Sequence, residues 1–130
     1  MGAFDVLGIA NTSMGAHQTW LDALAGNIAN VNTIKPMTED AATAKFAVFT
    51  TRADGGVEVA GFAQSSPEGR VTHSPTSPLA DADGYVRAPD IDLASQMSQL
   101  IMAQRGYQGA VQMTKSAQDT YDSALSIGSR

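Results

Sequence analysis

The apolar positions at the N-terminal end repeat with a helical period. Leu7, Ala10, Met14, His17, Leu21, Leu24, Ile28 and Val31 recur three and four residues apart, which is the a/d seam of a heptad helix. Asp5 is placed to cap its start, because a carboxylate there can accept from the free amides of the first turn, and Lys35-Pro36 sets the latest possible end. The spacing predicts a helix of about 25 residues, roughly 37 Å at 1.5 Å per residue. A second series, Leu93, Met97, Leu100, Gln104, Tyr107, Val111, Thr114, Gln118, Tyr121 and Leu125, predicts a C-terminal heptad helix with a more polar seam. Pro89 precedes it, Asp90 can cap it, Asp92 adds negative charge to the first turn, and Gly128 suits its end.

Between these helices the period shortens to that of strands. Phe46 to Thr51 is rich in β-formers, Asp54-Gly55-Gly56 is a turn signal, and Val57-Glu58-Val59 alternates, so this stretch predicts a hairpin. Arg70 to His73 and Tyr85 to Arg87 are two further short extended segments, punctuated by Pro75, Pro78 and Asp83-Gly84. The predicted fold is mainly α with a small β insertion. Two long terminal heptad helices pack as an antiparallel coiled-coil hairpin, and the insertion projects from one end. The expected division is 1–34 for the N-terminal helix, 35–90 for the β-rich and loop insertion and 91–130 for the C-terminal helix, all within one structural unit.

Glycine weakens both helices. Gly15 and Gly26 interrupt the first, Gly106 and Gly109 the second, at about 1 kcal/mol each relative to alanine. A two-helix hairpin has little core to offset that loss. The isolated chain is therefore expected to be weakly folded, with the missing stability supplied by assembly. Glycine also permits close backbone approach, which fits helices of neighbouring subunits crossing there.

Charge and composition narrow the partners. Thirteen acidic against eight basic residues give a net charge of −5, and no Lys/Arg cluster stands against it, so nucleic acid and anionic membrane surfaces are poor partners. No apolar run is long enough to span a membrane, and the first twenty residues lack the basic start and apolar stretch of a secretory signal. With no cysteine, disulfides, thiolate zinc sites and thiol chemistry are excluded.

Candidate chemistry resolves into structural roles. Asp81-Ala82-Asp83-Gly84, with Asp90 and Asp92 downstream, invites a calcium-loop reading. The third liganding position before the glycine and the terminal bidentate Glu are both missing, so a turn followed by a helix cap is the better reading. His17 lies on the first seam and His73 is the only other histidine, too few ligands for a metal site. No catalytic motif and no cofactor-binding motif emerges. Gln104, Thr114 and Gln118 either fix register as buried polar groups or face solvent or a tube lumen. Trp20, off the seam beside Leu21, reads as a contact with something outside the hairpin.

Two stretches carry a resemblance. Leu24-Ala25-Gly26-Asn27-Ile28-Ala29-Asn30-Val31-Asn32-Thr33 resembles the N-terminal signature of flagellar rod and hook proteins, in which Asn27, Ala29, Asn30 and Thr33 carry the pattern. The run from Pro78, Leu79, Ala80 and Asp81 through Gly84, Tyr85 and Val86 to Pro89, followed by Met97 and Ala103-Gln104-Arg105-Gly106-Tyr107-Gln108, is similar to the bacterial flagellar basal-body rod protein family, on its proximal-rod side.

The resemblance implies a structural subunit without enzymatic activity. Such a subunit is exported from the cytoplasm by the flagellar type III apparatus without a cleaved signal, and polymerises with itself and other rod proteins into a periplasmic helical drive shaft for motility. On this reading Leu7, Met14, Trp20, Leu21, Leu24, Ile28, Met97, Leu100, Tyr107, Val111, Tyr121 and Leu125 are the subunit-interface residues. Asn27 and Asn30 set the exit angle into the insertion. The alternatives are another rod or hook axial component, or a small coiled-coil adaptor or secreted binding module.

Overall fold

A computed structural model describes residues 2–129. Helix α1 spans Ala3–Asn30 and helix α2 spans Leu93–Gly128. Between them, β1 (Lys45–Thr51) pairs antiparallel with β2 (Val57–Gln64), and β3 (Arg70–His73) with β4 (Tyr85–Ala88), as two separate two-stranded sheets. The protein is mainly helical with a small β part, as the periods predict.

Both helix starts differ from expectation, α1 by three residues and α2 by two. The N-cap of α1 is Gly2, and Asp5 sits three residues inside, its carboxylate accepting from the Gly2 amide at 2.9 Å. The N-cap of α2 is Asp92, which accepts from the Ser95 amide at 3.3 Å, while Asp90 lies 3.9 Å from the Arg70 guanidinium. At α2 two acids, Asp90 and Asp92, are available for one end, and the geometry of the chain entering the helix selects Asp92. Helix α1 stops at Asn30, before Lys35-Pro36, and Lys35 exchanges two 2.8 Å backbone hydrogen bonds with Arg87.

The first hairpin turns on Gly55, whose φ of 84° belongs to the left-handed region open to glycine. The Asp54 side chain accepts from the Gly56 amide at 3.0 Å, closing the turn. A bulge between Val48 and Phe49 shifts the register, pairing Val48 with Gly61 and Phe49 with Val59. The hairpin does not project from one end, as the sequence suggested, but lies back along α1. The Val57 amide donates to Thr12 Oγ1 at 3.2 Å, Phe49 stands edge-on to Trp20 at 5.5 Å, and Lys45 meets Asn27. An isolated two-stranded sheet is marginal in water, and the side of α1 offers apolar surface to cover it.

The second hairpin closes a smaller core containing Ala41, Ala44, Val86, Pro89 and Ile91. Gly69, at φ 59°, packs so tightly on Ala88 and Ala41 that a side chain there would overlap both. Arg87 ties the surrounding loops together by donating to the Glu68 carbonyl at 3.0 Å and the Met37 carbonyl at 3.2 Å.

The helices meet in opposite sequence order: Phe4 stacks edge-on to Tyr121 at 5.2 Å, His17 lies over Gly106, and Asn27 bonds Gln96. The α1 seam follows expectation, with Ala10 and Leu24 buried and Leu7, Met14, His17, Leu21, Ile28 and Val31 half-buried. On α2 the seam is displaced. Its buried residues are Gln96, Ala103, Ala110 and Ala117, flanked by half-buried Leu100, Tyr107 and Thr114, while Leu93, Met97, Gln104, Val111, Gln118 and Leu125 are exposed. Full burial of a large apolar side chain contributes roughly 1.5–3 kcal/mol, so size alone would have selected the other row. The small row leaves room against α2 for the larger side chains of α1, as where the His17 ring covers Gly106.

Candidate assembly interface

Asn27, read from the family pattern as setting the exit into the insertion, lies inside α1, 3% exposed, and bonds to two other elements. Its Nδ2 donates to the Lys45 carbonyl at 2.9 Å and to Gln96 Oε1 at 2.8 Å, and its Oδ1 accepts from the Lys45 amide at 2.8 Å. A buried amide is tolerated only when paired, and here the pairing joins α1, β1 and α2 at one point. Asn30 acts locally, donating to the Gly26 carbonyl at 2.9 Å and accepting from Thr33 Oγ1 at 3.3 Å.

His17 is a seam residue. Its Nδ1 lies 2.7 Å from the Ser13 carbonyl, which orients the ring over α2. A Cβ on Gly106 would overlap that ring, whereas Gly15, Gly26 and Gly109 have open space where a side chain would go. Of the four helix-weakening glycines, only Gly106 is required by contact within the chain. Trp20 finds a partner inside the molecule in Phe49, and its ring is 6.2 Å from that of His17.

The aspartates of the second motif serve the backbone. Asp81 Oδ1 accepts from the Asp83 and Tyr85 amides at 3.0 and 2.8 Å, and Gly84 turns at φ 84°. Val86 and Pro89 of that motif fill the small core, whereas Leu79 and Tyr85 remain about 41% exposed. Among the described residues no cluster of metal-ligating side chains forms, and no helix is long and apolar enough to cross a membrane. At the tip of the first hairpin, the Arg52 guanidinium, 3.2 Å from Asp54, holds the Asp54 carboxyl below its ordinary value, helped by the Gly56 amide.

The interface candidates divide into two groups. Leu24 is 1% exposed and sealed within the helix pair. Met97, Val111, Tyr121 and Leu125 keep 37–55% of their surface, joined by Ile101, Met102 and Met113 at 51–55% and Phe4 at 69%. All but Phe4 lie on α2, where large apolar side chains exposed this densely form a candidate contact surface. Gln96, Ala103, Ala110 and Ala117 were missed from the sequence, although their strict seven-residue spacing was available as a signal.

Comparison with known proteins agrees with this geometry. Residues 82–127, covering β4 and nearly all of α2, match the family profile described as flagellar basal body rod FlgEFG protein C-terminal. The flagellar basal-body rod protein FlgC of Yersinia enterocolitica is 31% identical, over 98% of this chain and 99% of its own. Its counterparts from Salmonella typhimurium and Bacillus subtilis are 29% and 22% identical over the same shares. This full-length similarity to rod proteins is decisive: the chain belongs to the flagellar basal-body rod protein family and is a structural subunit of the flagellum.

Proposed function

We propose that the chain is a non-enzymatic subunit of the proximal rod, polymerising with itself and with other rod proteins into the helical shaft that crosses the periplasm. Segments 1–34 and 91–130 act as an antiparallel coiled-coil hairpin that builds the tube wall, and 35–90 decorates it. The observation that carries this reading is the exposed large-residue row of α2. Each subunit uses the alanine row for its own α1 and offers the Met97, Val111 and Leu125 row to a neighbour. Different surfaces meeting head to tail, with a rotation that does not close, generate a filament. Leu7, Met14, Leu21, Ile28, Leu100 and Tyr107, being half-buried, border both contacts.

The core of the helix pair supports weak folding in isolation. Its fully buried apolar residues are Ala10, Ala16, Leu24, Ala103, Ala110 and Ala117, and five alanines with one leucine bury little apolar area. A chain of marginal stability suits export through the flagellar type III apparatus without a cleaved signal, folding being completed on joining the rod. Deleting the coding sequence and imaging basal bodies by electron microscopy tests the role: rods should be absent and motility lost, and intact rods with normal swimming would remove the proposal. Sizing chromatography with light scattering should show a loosely helical monomer. A stable closed oligomer would favour a coiled-coil adaptor.

A further inference from the structure

Helix α2 carries two overlapping heptad rows. Both use Leu100, Tyr107 and Thr114, and they differ by one residue in the alternate positions, which lie about 100° apart around the helix. The row with Met97 and Val111 carries the larger side chains, yet the row with Gln96 and Ala103 faces α1. Two fits exist only in the observed arrangement. Asn27 Nδ2 donates to Gln96 Oε1 at 2.8 Å with both residues 3% exposed, and Gly106 admits the His17 ring where any side chain would collide. Rolling α2 onto its larger row would carry Gln96 away from Asn27 and Gly106 from beneath His17.

We propose that the Asn27–Gln96 amide pair, supported by His17 over Gly106, is the register key of the subunit. It selects the row of α2 that packs on α1, and so the row left for neighbours. A buried polar pair specifies register because every other alignment leaves an amide unpaired in an apolar seam. Asn27 also holds both backbone groups of Lys45, so the same key sets the first hairpin relative to the outward row. The consequence for assembly rests on the rod-subunit role above; the choice of register does not.

The test uses single thiols, which label cleanly because the chain has no cysteine of its own. With a maleimide, Ala103→Cys should react at least about tenfold more slowly than Val111→Cys, since protection reports the opening of the buried row. Equal rates would overturn the proposal. In an Asn27→Leu/Gln96→Leu background the two rates should move in opposite directions, Ala103→Cys faster and Val111→Cys slower. Both rates rising would show that the pair only stabilises the fold, and unchanged rates that it selects nothing; either result refutes the key. In cells lacking the native gene, the parent should restore rods and the Leu/Leu variant should not. Full motility with the variant would refute the assembly consequence. Failure of the parent itself would count against the rod role and leave the labelling result standing.

Discussion

Helices α1 and α2 are packed against each other, yet only α1 wears its buried face openly. On α1 the apolar residues form one dominant row, and that row faces inward, buried at Ala10 and Leu24 and half-buried elsewhere. On α2 large apolar residues are spread over two neighbouring rows, and the smaller-residue row is buried while Met97, Val111 and Leu125 stay out. The difference teaches that hydrophobic periodicity identifies a buried face only where the helix has one partner. A helix that serves two partners carries two faces, and the larger one need not be the intramolecular one.

Truncation should break the symmetry between the helices most strongly. Leu24→Ala removes the one large side chain sealed in the helix pair and should cost about 2–5 kcal/mol, enough to abolish the helical circular dichroism of the purified chain. Leu125→Ala, at a site 55% exposed, should change stability by less than about 0.5 kcal/mol while reducing motility. If the two variants lost helicity equally, the division into an inner and an outer row would fail.

The glycines sharpen the same contrast. Gly106→Ala forces a methyl into the His17 ring and should destabilise by about 1–3 kcal/mol, as overpacking does; His17→Ala should relieve it. Gly109→Ala meets open space and should raise helicity, by up to about 1 kcal/mol. Denaturant titration followed by circular dichroism distinguishes them by sign.

A smaller effect is expected where the first hairpin meets α1. Phe49→Ala removes the edge-on partner of Trp20, a contact contributing about 0.5–1.5 kcal/mol beyond simple burial. Trp20 is the only tryptophan, so a red shift of its emission reports detachment of the hairpin, with the helix pair left intact.

The smallest effect is at the hairpin tip. The folded carboxyl of Asp54 titrates below its unfolded value, so its contribution is present above the unfolded pKa and fades as pH falls through the lower folded one. Both side chains are exposed, and the acid-induced loosening of the turn should be slight and screened by salt. Amide exchange at Gly56 between pH 5 and pH 2 should show it, and Asp54→Asn should remove the pH dependence.

Local chemistry alone determined the two helices, the turn at Asp54-Gly55-Gly56, the four strands and the turn role of Asp81, because each depends on neighbours a few residues away along the chain. The rod-family resemblance was legible for the same reason, being written in contiguous motifs. Tertiary structure decided which row of α2 is buried, that Asn27 sits within a helix bonding Lys45 and Gln96, that the first hairpin folds back along α1, and that Trp20 packs on Phe49. Those outcomes depend on how closely two backbones approach and on which buried amide finds a partner. Both are properties of paired surfaces, which a pattern read along one strand of sequence does not contain.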